Sequence, residues 1–141
     1  MHEVLARANF EADVANLSDA MAVSYGLIVN ARSFPVLDVT VNHTRPLRLR
    51  MVADNWDDLP PSIELLNPDG SPLSKPIPGG IFHPGPHPNT GRPFICMRGT
   101  REFHTHSGHL NESWSQYRGM DGMELIGILL QITDAWRKAV R

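Results

Sequence analysis

Apolar and polar positions change rhythm several times along the chain. HEVLARANFEADVANL (residues 2–17) mixes acidic, basic and apolar residues, with Val4, Leu5, Ala8, Phe10, Ala12, Val14 and Ala15 spaced along it. That spacing predicts an amphipathic helix. AVSYGLIVNA (22–31), VLDVTV (36–41) and LRLRMVA (47–53) are rich in Val, Leu and Ile, and VLDVTV and LRLRM alternate with a period of two. They predict strands, half-buried where the alternation is strict. Pro35 and Arg45-Pro46 stand between them as turn signals. A polar turn and Pro60-Pro61 lead to a further short strand over Ser62 to Leu66. These segments read as an antiparallel meander of four strands.

The rhythm then stops. NPDGSPLSKPIPGGIFHPGPHPNTGR (67–92) holds seven prolines and five glycines, so it cannot be helical, and only Ile81-Phe82 could join a sheet. The segments on either side are too short for independent cores, which argues for a long ordered loop within one domain, 1–141, rather than a linker between two. FICM (94–97) is briefly apolar, and 98–122 is polar. MELIGILLQITDAWRKAV (123–140) is the clearest helix, apolar around most of its circumference and cationic at its end through Arg137, Lys138 and Arg141. The order helix, four strands, long loop, helix is an α+β architecture. Trp56, Trp136 and Phe34 read as core or core-edge residues.

Composition narrows the function classes. Of 141 residues, 41% are hydrophobic and 20% charged, with a formal net charge of −2. A surface of that charge does not attract nucleic acid or anionic lipid nonspecifically. The single cysteine cannot form an internal disulfide, which fits a reducing compartment. The N-terminus carries acidic residues and has no unbroken apolar core, unlike a signal peptide, and no apolar run approaches the roughly 20 residues of a membrane span. The expectation is a cytoplasmic protein with neither nucleic acid nor membrane as partner.

The candidate chemistry gathers around that cysteine. Cys96 lies between Ile95 and Met97, where a thiol packs as a small hydrophobe or serves as a nucleophile. His87, Asn89 and His104 lie within ten residues of it. Asn89 either makes an ordinary turn with Thr90 and Gly91 or offers its amide to an oxyanion. His104, His106 and His109, with Glu112 nearby, admit three readings. They form a solvated loop, a metal site built on the H-x-H pair, or support for the thiol, with His104 as the candidate base.

His87-Pro88-Asn89, then Gly91, then Ile95-Cys96-Met97 resembles the active-site signature of ubiquitin-conjugating enzymes, an HPN tripeptide followed by a Gly and an I-C-L run. Leu59 to Leu65 is similar to the proline-rich segment leading into the fourth strand of that fold. Trp114-Ser115 is similar to its W-S-P, with Gln116 in place of the proline, and Met123 to Trp136 to the helix that follows. The resemblance spans nearly the whole chain in element order. Its residue-level support is confined to 59–65, 87–97 and 114–136. The stretches on both sides of the signature are longer than the family's, and the chain lacks its last two helices. The resemblance implies a ubiquitin-conjugating-like domain with its C-terminal helix packed on the sheet. Cys96 would accept a ubiquitin-like protein from an activating enzyme as a thioester and pass it to a nucleophile on a target protein. Asn89 would steady the oxyanion, and His87 would shape the loop. No cofactor is implied, because the activating enzyme spends the ATP. A histidine base at the thiol would be a departure from the family. Compact, histidine-bearing variants are similar to the ubiquitin-conjugating-like proteins of bacterial operons, several of which act in antiviral defence against phage. A small metal-binding protein or metal-dependent enzyme using His104, His106 and His109 is the alternative.

Overall fold

The computed structural model describes residues 1–73 and 76–141; the part of the proline-rich loop at 74–75 lies outside the described residues. The architecture is α+β: an N-terminal helix, a four-stranded antiparallel sheet and a C-terminal helix. Among the described residues no helix is long and apolar enough to cross a membrane.

Helix α1 runs Glu3–Val14, shorter than the 2–17 its pattern predicts. His2 stands at its N-cap and accepts the Val4 N–H on Nδ1. Its buried face is Ala6, Phe10 and Val14, one residue per helical turn, while Val4 and Leu5 are exposed. The 22–31 strand expectation is half right. Asp19–Ser24 is instead a short helix, α2, because Ser18 accepts the Met21 N–H and so caps it. The chain leaves α2 at Gly26, whose φ of 68° suits glycine alone, and strand β1 then covers Leu27–Ser33.

Strands β2 (Val36–Val41), β3 (Leu47–Val52) and β4 (Ser62–Leu66) complete a sheet in simple sequence order, all neighbours antiparallel. Leu37, Val39 and Val41 of β2, Leu47, Leu49 and Met51 of β3, and Ile63 and Leu65 of β4 face one core. On the opposite face the expected half-exposed alternation of β2 gives way. Asp38 and Thr40 are buried there. Arg48 and Arg50 of β3 lie over Asp38 and donate to its carboxylate, and Asn30 of β1 donates to both Asp38 and Thr40. The arginine side chains cover this polar strand face and pair their guanidinium groups with the carboxylate beneath.

The C-terminal helix α4 runs Leu125–Ala139. Leu125, Ile126, Ile128, Leu129, Ile132 and Trp136 join the sheet's apolar face and α1 in the same core. Trp136 is fully buried, meets Phe82 edge-on and donates Nε1–H to the Arg45 carbonyl. The free N–H of Leu125 at the start of α4 is received by Asp13 of α1, which also accepts Trp56 Nε1–H. At the other end Arg137 donates to the Tyr25 and Gly26 carbonyls. The cationic end therefore ties α4 to the turn before β1.

Two short strands finish the fold. Within the proline-rich loop, β5 is Phe82–His83, one residue on from the expected Ile81-Phe82, and it pairs antiparallel with β6, Phe94–Ile95. The polar stretch 98–122 folds into helix α3, Arg101–Thr105, and two single 3-10 turns at 107–109 and 114–116.

Candidate active site around Cys96

Cys96 follows β6 directly, and its N–H donates to the Ile81 carbonyl at 2.7 Å. The chain then turns back at once. The Thr100 hydroxyl shares its one proton between the Ile95 and Met97 carbonyls and accepts the Phe103 N–H, so one hydroxyl closes the turn and caps α3. Gly99 sits in this turn with φ of 99° and is packed against Ile128 and Met123. A side chain there would be strained by the backbone and would crowd the Ile128 and Met123 side chains at 3.1–3.2 Å.

The thiol is half-buried and opens on a cleft of about 540 Å³ lined by Met97, Phe103, His109, Glu112, Tyr117 and Met123 among others. The histidine at the sulfur is His109, with Nε2 at 3.7 Å from Sγ. Its Nδ1 is 2.9 Å from Glu112 Oε2. A carboxylate only accepts, so Nδ1 carries the proton and the Nε2 lone pair faces the thiol. Phe103 stacks on the imidazole, with ring centroids 4.0 Å apart and planes 17° from parallel. Glu112 is itself held by Arg98 at 3.1 Å and by the Tyr117 hydroxyl at 3.4 Å. The His109 hydrogen bond, then that of Arg98, keeps the Glu112 carboxyl below its ordinary range. Burial pushes the Cys96 thiol up, and the nearby Glu112 charge adds to this. The resting sulfur is therefore a thiol and needs a base when it reacts. His109 Nε2 is placed to be that base.

His104 occupies a different place. Its Nε2 accepts the Gly99 N–H at 3.1 Å, so Nδ1 is the protonated nitrogen and donates to the Glu112 carbonyl at 2.7 Å. Burial is the main cause holding it below its ordinary pKa. With both nitrogens engaged, His104 fastens the turn after Cys96 to the Glu112 backbone. His106 accepts the Gly108 N–H on Nδ1 and stacks on Phe94. His104, His106 and His109 thus turn to different partners. Among the described residues no group of three or more His, Cys, Asp or Glu side chains converges as metal ligands would.

His87 is buried and organises the loop ahead of β6. It accepts the Asn89 N–H on Nδ1, which leaves Nε2–H to donate to the Glu102 carbonyl at 2.7 Å. Its backbone closes the loop through His87 N–H to the Arg92 carbonyl and Gly91 N–H to the His87 carbonyl. Asn89 is exposed on this loop, and neither it nor His87 lines the cleft that Cys96 opens on.

The sequence reading missed Glu102, and it favoured His104 over His109 as the base at the thiol. Buried Glu102 accepts Ser62 Oγ–H at 2.6 Å and Ile63 N–H at 2.8 Å, joining α3 to the free edge of β4. Nothing in its local pattern marks it. His109 and Glu112 stand three apart in HSGHLNES, a spacing at which an imidazole and a carboxylate meet across one helical turn. Both stood among the candidates in the histidine cluster, but the sequence did not show that His109 is the one that reaches Cys96. Comparison with protein-family models returns no match, and comparison with curated proteins returns none.

Proposed function

We propose that the protein is a ubiquitin-conjugating-like acyl carrier. In this reading Cys96 attacks the thioester that joins a ubiquitin-like protein's C-terminal glycine to an activating enzyme. It holds the modifier as its own thioester and yields it to a nucleophile on a target protein. One observation carries the proposal: the half-buried Cys96 thiol faces an open cleft with the unprotonated His109 nitrogen 3.7 Å away. A cysteine that served only as core filler would need neither a cleft nor an oriented base. The order of elements and the loop folded around His87 fit the resemblance carried by residues 87–97. Placement in a bacterial defence operon rests on that resemblance alone.

The half-reaction balances without a cofactor. The Cys96 proton passes to His109 Nε2, the sulfur forms a bond to the thioester carbonyl carbon, and the donor's carbon–sulfur bond breaks. The proton then returns from His109 to the departing thiolate. Asn89 is exposed on the 87–92 loop and does not line the cleft at Cys96, so its oxyanion role rests on the resemblance alone.

The test uses the purified full chain and a peptide ending in Gly-Gly as its α-thioester. Intact-mass analysis should show one peptide per chain, lost on adding hydroxylamine or excess thiol and absent from Cys96→Ala. No adduct, or an adduct that survives in Cys96→Ala, refutes the carrier role.

A further inference from the structure

We propose that His109, oriented by Glu112, is the base of the second half-reaction and takes the proton of a primary amine as it attacks the Cys96 thioester. The inference rests on the thioester reading but concerns the step after loading.

Once Cys96 is acylated it has no proton, and His109 Nε2, previously engaged by the thiol, is free on the side of the cleft. It is held there rigidly. Phe103 covers one ring face, and Nδ1–H is anchored on Glu112. Arg98 and Tyr117 in turn fix Glu112, and His104 fixes its carbonyl. This chain of contacts fixes both the tautomer and the aim of the ring, which is what a proton acceptor at a reacting nitrogen requires. Met97, Met120, Met123 and Tyr117 line the open cleft, a surface suited to the aliphatic stem of a lysine-like amine. The amine nitrogen forms a bond to the thioester carbonyl carbon, and the carbon–sulfur bond breaks. The amine's proton moves to His109 Nε2 and then to the Cys96 thiolate, which restores the thiol. The product is an amide.

The groups that bear on the imidazole's charge are Cys96 and Arg98 from the segment after β6, His104 from α3, His106, Glu112 and Tyr117. Arg98 and Glu112 pair with each other, so neither acts on the ring as a lone charge.

The experiment loads the full chain with the Gly-Gly peptide thioester, removes excess donor and follows discharge to free lysine by intact mass. His109→Gln also lacks the base of the loading step, so it is loaded over a longer incubation until the adduct mass is complete, and should then discharge about 100-fold more slowly than the wild type. Glu112→Gln, which keeps the base but loosens its aim, should fall about tenfold. Expressed per unprotonated amine, wild-type discharge should rise with pH and then level off, as general-base catalysis requires, while His109→Gln should be flat. Added imidazole should restore part of the rate to His109→Ala, which a structural role would not allow. Discharge of His109→Gln within about threefold of the wild type, or a flat wild-type profile, overturns the proposal. If His109→Gln fails to fold, the wild-type profile decides alone. Failure of the wild type to load sinks the carrier reading and this inference with it. Normal loading with base-independent discharge sinks this inference only.

Discussion

Removing the Glu102 side chain tests how the fold holds the active-site loop. Its carboxylate accepts two hydrogen bonds, from Ser62 Oγ and Ile63 N–H. Beta-4 lies at the edge of the sheet, so Ile63 N–H has no strand partner on that side. Glu102→Ala therefore deletes two charge-assisted bonds and leaves a buried amide unpaired, a cost of about 3–5 kcal/mol. Glu102→Gln keeps the shape. Its amide oxygen can accept from Ile63 and its NH2 can donate to a turned Ser62 hydroxyl, so only the charge is lost, at about 1–2 kcal/mol. With an unfolding entropy near 0.3 kcal/mol/K for 141 residues, these correspond to melting temperatures lower by about 10–17 °C and about 3–7 °C. Circular dichroism measures the shifts, and hydrogen exchange at the Ile63 amide reports the orphaned donor directly. Because the Glu102 carbonyl also receives His87 Nε2–H, Ala should raise exchange at the Asn89 amide as well. A melting temperature for Glu102→Ala within about 3 °C of the wild type refutes this account, as does equal damage from Ala and Gln.

Three further outcomes follow from the packing. Gly99→Ala should lower stability by about 1–3 kcal/mol, read by urea unfolding, because a φ of 99° strains any L residue and a β-carbon would press on the Ile128 and Met123 side chains; no change would show that the turn yields freely. Trp136→Ala should cost about 3–5 kcal/mol, since the ring is fully buried and its N–H is spent on Arg45; a loss under about 1 kcal/mol in the same assay would contradict that packing. Burial pushes Asp38 up, but bonds from Arg48, Asn30 and Arg50 outweigh it and hold the folded carboxyl below its ordinary 3.8. A lowered folded pKa contributes stability that is present above 3.8 and lost as pH falls through the folded value. The urea midpoint should therefore drop in that acid window, and Asp38→Asn should flatten the drop; an unchanged acid slope in the variant would refute it.

The elements legible along the chain are those whose side chains answer to one partner surface. VLDVTV, LRLRMV and SIELL pair as expected because a period of two specifies both face and register. Leu125–Ala139, within the expected 123–140, forms a helix because apolar groups nearly encircle it. The 22–31 segment was legible only in its second half. Local Ser18 capping overrode an apolar run there, and short apolar runs do not separate helix from strand. At the site, Cys96, His87 and Asn89 stood out as residue types. Tertiary structure alone decided that His109, and not His104, meets the sulfur. Eight residues of sequence separation suggested His104, but Gly99 turns the chain so sharply that His104 folds back on its own turn. The next 3-10 turn then carries His109 across to Cys96. Glu102 went unseen for the same reason: its partners lie 39 and 40 residues away along the chain. Periodicity records which side of an element is buried. It holds no record of which distant polar atom is waiting there.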